Sequence, residues 1–96
     1  MSRAFVNEDA GGGDAPGKYT LPDPGDPGFA LAAARALLRG ADAGDTVGAE
    51  AATGYYWGDP ALEHEVSQLL AEAREEGNER AEQLAERYLN RIRRGT

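Results

Sequence analysis

An aspartate followed by proline opens two stretches of this chain, at Asp26-Pro27 and Asp59-Pro60, each time after a glycine. The carboxylate of such an aspartate accepts from free backbone N–H groups at a helix start, and proline at the first helical position has no N–H to leave unpaired. Gly40 and Gly77 then close the two stretches, where a left-handed residue ends a helix at little steric cost. This punctuation confines the chain to short helices, and it predicts two of them over 27–39 and 60–76. Asn78 is a further N-cap with Glu79 in the first turn behind it, which predicts a helix over 79–93. Only Gly77 and Asn78 separate the last two helices, so they form an antiparallel αα-hairpin. A shorter helix near 45–53 is expected through Val47, Ala49, Glu50, Ala51 and Ala52. Two turns do not hold alone, so it depends on packing.

Apolar residues recur at helical spacing in the hairpin, at Leu62, Val66, Leu69 and Leu70 and again at Leu84, Tyr88 and Ile92. With Phe29, Leu37, Leu38, Val47 and Trp57 they are the expected core. The fold class is therefore all-α: a small bundle of three main helices and a short fourth, behind a disordered N-terminal tail. Ninety-six residues allow one domain. Hydrophobic residues make up 41% but aromatic ones only 7%, and with so much alanine the core is small. The chain has no cysteine, so neither a disulfide nor a thiolate-bound metal reinforces it.

Residues 1–26 read as the tail and 27–96 as the helical domain. Gly11-Gly12-Gly13, four prolines' worth of interruption from Pro16 to Pro27 and the scattered Asp9, Asp14, Asp23 and Asp26 leave too little apolar surface to offset ordering entropy. Phe5-Val6 and Tyr19-Thr20-Leu21 are its candidate docking anchors, and Tyr19 and Leu21 also suit packing back onto the domain.

Ten basic residues face 17 acidic ones, a formal net charge of -7. Such a field repels nucleic acid and anionic membranes, so nucleic acid is a disfavoured partner and no membrane association is expected. No apolar run reaches the roughly 18 residues of a membrane span, and the opening residues lack the apolar core of a signal peptide. A cytoplasmic protein is expected. Lys18 is the sole lysine and every other basic residue is arginine, a bias that speaks to the source rather than the function.

Catalytic chemistry has no foothold in the pattern. His64 is the sole histidine and reads as a surface residue opposite the Leu62/Val66/Leu69 stripe, so no histidine-based metal set exists. Ser2 and Ser67 sit in no nucleophile turn. Gly11-Gly12-Gly13 is followed by no Lys-Ser/Thr, so it is not a phosphate loop. Acid pairs such as Glu75-Glu76 need a pocket to split their pKa values. The expectation is a protein that is not an enzyme, holding neither cofactor nor metal.

Two constellations are candidates for binding. Tyr55-Tyr56-Trp57, between Gly54 and Gly58, either plugs the bundle or turns a ring outward as an anchor. Arg87, Arg91 and Arg94 recur at i, i+4 and i+7 with Arg93 beside them. They complement the helix dipole in the plain reading, and form a patch for phosphate or an acidic partner in the sharper one. The opening Met1-Ser2-Arg3-Ala4-Phe5-Val6-Asn7-Glu8-Asp9 resembles the start of some bacterial Gre-type transcription elongation factor homologues. That resemblance covers nine residues and implies that Phe5-Val6 is a docking element on the transcription machinery. It carries over no functional residue, because the coiled coil and β-rich domain of that family have no counterpart here. The stretch from Gly44-Asp45-Thr46 to Gly58-Asp59-Pro60 looks more like small bacterial proteins of unassigned function. The expected function is a protein–protein interaction module with an unidentified protein partner; the alternative is association with nucleic acid or the transcription machinery through the Arg-rich last helix.

Overall fold

A computed structural model describes residues 19–95. Four α-helices follow one another: α1 (Phe29–Asp42), α2 (Thr46–Thr53), α3 (Glu63–Glu76) and α4 (Glu79–Gly95), with a 3-10 turn at Pro60–Leu62 leading into α3. The expected all-α bundle is what forms. α3 and α4 make the most extensive helix pair, α1 lies against both, and α2 packs chiefly on α1. Among the described residues no helix is long and apolar enough to cross a membrane.

The caps work much as the sequence indicates. Asp59 Oδ1 accepts from Ala61 N–H at 3.0 Å, and Asn78 Oδ1 accepts from Ala81 N–H at 3.1 Å. Gly77 is left-handed at φ 71°, which lets the Asn78 N–H turn back to the Ala73 carbonyl at 2.9 Å. Asp26 accepts from Gly28 N–H at 2.7 Å, so Asp26-Pro27 forms an opening turn and α1 proper begins at Phe29 rather than 27.

Gly40 departs from expectation. It does not end α1, which runs on to Asp42, and the left-handed glycine beyond it is Gly44 at φ 73°. Gly40 is buried where α1 meets α2: a methyl group there would sit 2.6 Å from Ala49 Cβ and 2.9 Å from the Asp45 carbonyl oxygen. The glycine is needed for its missing side chain and not for its backbone freedom.

Leu37, Leu62, Val66 and Tyr88 are the largest fully buried side chains. Around them, Ala33, Ala34, Ala49 and Ala85 have no exposed surface, so the alanines that keep the core small also let the helices approach closely. Three expected core residues, Phe29, Trp57 and Leu70, are only half-buried at its edge. Val47 is 78% exposed, against expectation. α2 turns Ala49 and Thr53 inward, one helical turn apart, and a residue two before Ala49 faces the opposite way.

Packing also begins earlier than residue 27. Tyr19 is 6% exposed and belongs to the core, and its hydroxyl donates to Asp45 Oδ2 at 2.7 Å. Leu21 packs against the same core. Residues 1–18, with Phe5 and Val6, lie outside the described residues. Burial, and then the Asp45 carboxylate, push the Tyr19 phenol up to about 12.

Two outcomes follow from this junction. Gly40→Ala should destabilise the fold by about 1–3 kcal/mol through overpacking, although alanine is the better helix former by about 1 kcal/mol. A denaturation midpoint that rises would mean α1 and α2 are not in contact there. The neutral Tyr19 phenol is favoured by the fold, so its contribution is complete below pH 10, falls through about pH 12 and is gone above that. Stability measured across that window should decline less steeply in Tyr19→Phe than in the wild type, and identical slopes would place Tyr19 in solvent.

Candidate functional site

The segment between α2 and α3 is held from every side. Gly54 ends α2 in the left-handed region at φ 82°. Thr53 Oγ1 accepts from Tyr55 N–H at 3.1 Å, and Glu50 Oε2 accepts from Trp57 N–H at 2.8 Å. From the other side, the Tyr88 hydroxyl donates to the Asp59 carbonyl at 3.0 Å. The Trp57 and Tyr88 rings meet edge to face with centroids 4.9 Å apart, an arrangement the ring quadrupoles favour. Burial, with the Asp59 carboxylate second, raises the Tyr88 pKa far above the ordinary phenol range, so the hydroxyl stays a donor. A loop fastened this way presents its remaining side chains with little ordering cost on binding.

The three aromatic residues of this loop divide their roles. Tyr55 turns toward α1 and packs on Phe29, with centroids 6.4 Å apart. Trp57 is half-buried and packs against the core beside Tyr88. Tyr56 is 57% exposed. Tyr56 and Trp57, with Pro60 and Ile92, wall a notch of about 260 Å³ whose charged member is Arg91. Trp57 thus packs at the edge of the core, and Tyr56 is the ring of the cluster that turns outward.

Gly58 joins the loop to α4. It is left-handed at φ 86°, and a methyl group there would overlap Arg91 Cγ and lie 3.0 Å from its Cβ. The aliphatic stem of Arg91 therefore runs over the loop backbone at the notch. At about 100° per residue, Arg87, Arg91 and Arg94 lie within about 60° of one another on one exposed flank of α4. Arg93 is roughly 160° around from Arg91, and its Nη1 donates to Asn90 at 2.8 Å. Arg93 is thus not part of the patch expected beside it.

The flank trio forms no ion pair with any described residue. Other arginines do: Arg74 bridges Glu82 at 3.3 Å and Glu86 at 3.2 Å across the hairpin. A larger cleft of about 370 Å³ between α1, α3 and α4 holds none of the sequence candidates. Its rim pairs Arg35 with Glu72 at 3.0 Å and Arg80 with Asp42 at 2.7 Å, so those guanidinium groups are matched within the chain. His64 is exposed, as expected. Sequence reasoning missed Glu50, Gly58 and Ile92 as parts of the site; only the glycine wedged between Trp57 and the Asp59-Pro60 cap hinted at an unusual backbone.

No known protein family, curated protein or solved structure matches this chain. The functional reading therefore rests on the geometry.

The tether from α2 is open to a direct check. Glu50→Ala leaves the Trp57 N–H without its carboxylate and should cost about 1–2 kcal/mol. Because the chain has one tryptophan, its emission should shift as the loop loosens. Unchanged emission and an unchanged denaturation midpoint would show that Glu50 does not hold the loop.

Proposed function

We propose that this protein is a protein–protein interaction module of the cytoplasm that binds rather than catalyses, and that its partner docks on the surface shared by Tyr56, Trp57 and the arginine flank of α4. The observation that carries this reading is the meeting of an open aromatic notch with three arginines that have no ion pair among the described residues. Aromatic and arginine side chains are the types that dominate binding energy in protein interfaces. The pre-fastened loop supports the same reading, since binding sites are commonly loops set on a rigid scaffold.

A second reading, nucleic acid on the same arginines, draws on the unpaired trio alone. Against it stands a net charge of -7, which opposes approach of a long polyanion. Salt separates the two. Contacts from three arginines to phosphates release counterions and weaken steeply as salt rises, whereas an apolar contact responds little.

The full chain, immobilised and exposed to extract of its source cell at two salt concentrations with and without nuclease, should retain one stoichiometric protein that nuclease does not release. Arg91→Glu should reduce that retention, and Arg35→Glu, which alters the net charge equally at the other cleft, should not. Loss of all bound material on nuclease treatment would reverse the ranking of the two readings.

A further inference from the structure

Resting on that reading, the partner's chemistry can be specified. The chain has 17 acidic and 10 basic residues. Arg35, Arg74 and Arg80 each pair with a carboxylate, while Arg39 of α1 stands singly without one among the described residues. Arg87, Arg91 and Arg94 pair with none either, among the described residues, although Glu82 and Glu86 belong to the same helix. The helix geometry explains this: the acids lie on the flank that meets Arg74 of α3, and the trio lies on the other. The trio thus occupies a different flank of α4 from Glu82 and Glu86, with Arg93 on the acidic side, and the flank of the trio borders the notch through Arg91.

The notch itself asks for something apolar. Tyr56, Trp57, Pro60 and Ile92 are among the residues that line it. A bulky side chain entering it would cover aromatic surface that the bundle leaves in water, which favours binding. The same segment must then pass the arginines. Arg87 and Arg94 are seven residues apart, about 10 Å along the helix axis at 1.5 Å per residue. An extended chain covers that in about three residues, and guanidinium groups bind carboxylates in paired hydrogen bonds.

We infer that the site takes an acidic peptide segment of a partner protein, whose one bulky apolar side chain fills the Tyr56–Trp57 notch while carboxylates within the neighbouring few residues meet Arg91, Arg87 and Arg94. Charge complementarity selects this occupant. A short acidic segment touches only the basic flank, whereas a long polyanion also meets the carboxylates of α3 and its field. A basic segment would be repelled at the notch by Arg91. Gly58 is a positioning residue in this account, because it gives the Arg91 stem its place over the loop.

Display of random twelve-residue peptides against the immobilised full chain tests this. The enriched peptides should carry an aromatic or large aliphatic residue with two or more Asp or Glu within about four positions. One such peptide, synthesised without tryptophan, should shift the emission of Trp57, the chain's one tryptophan. Its affinity should fall at least about tenfold, the equivalent of 1.4 kcal/mol, in Arg91→Glu. Gly58→Ala should also weaken it, and Arg35→Glu should leave it within about twofold. Unfolding midpoints show whether each variant is folded, and Arg87→Glu and Arg94→Glu, both exposed, carry the test if Arg91→Glu is not. Enriched peptides that quench Trp57 but lack acids would overturn the acidic specificity while leaving the interaction module standing. No enrichment would overturn the inference outright, and the extract experiment then decides the broader reading separately. Tighter binding of a twelve-nucleotide oligothymidine through the same arginines would overturn both.

Discussion

The loop that carries the candidate site depends on Tyr88. This phenol is fully buried in α4, and two interactions leave it in the direction of the α2–α3 connection. Its ring meets the edge of Trp57, and its hydroxyl reaches the Asp59 carbonyl. Asp59 in turn caps the turn into α3. One side chain therefore ties the last helix to the start of its hairpin partner and to the segment between. A buried hydroxyl must find an acceptor, and here the acceptor is loop backbone that has no secondary-structure ladder of its own. The polar requirement of the core is met by the same contact that orders the site.

The opposite end of the bundle obeys a different constraint. There small side chains bring the backbones of α1 and α2 close. Gly40 and Ala49 touch across the α1–α2 crossing, and the Tyr19 ring closes the junction. α2 has only two turns and would not persist alone; this crossing, with Asp45 bound by Tyr19, is what holds it. Glu50 then extends from α2 to the Trp57 backbone. The site is thus anchored at one side by α4 through Tyr88 and at the other by α2 through Glu50.

The helices and their caps were legible in the sequence because capping is local: Asp59, Asn78 and Gly77 act on backbone a few residues away. Gly40 was misread for the same reason. A glycine at the end of an apolar run looks like a stop until the partner helix that needs its missing side chain is known. Val47 was misread because eight residues with little polar contrast do not reveal which face turns inward, and Ala49 rather than valine took the buried place. The Pro- and Gly-rich surroundings of Tyr19 predict the backbone of a tail, while the alternative that Tyr19 and Leu21 pack back onto the domain was open in the sequence and is what forms. Of the site, the residue types were visible and their grouping was not. Nothing local links Trp57 to Arg91 or sends Tyr55 to Phe29, whereas the helical period alone separates Arg93 from Arg91.

The central claim is that the notch exists in the free protein, with Trp57 fixed on Tyr88 and Arg91 laid over Gly58. Proton NMR of the full chain without any ligand tests it most directly. The account predicts cross-relaxation between the indole ring of Trp57 and the ring of Tyr88, whose centroids lie 4.9 Å apart, and between the Gly58 α-protons and the side-chain methylenes of Arg91. A Trp57 ring with no contact to Tyr88 and an Arg91 stem with no contact to Gly58 would contradict it.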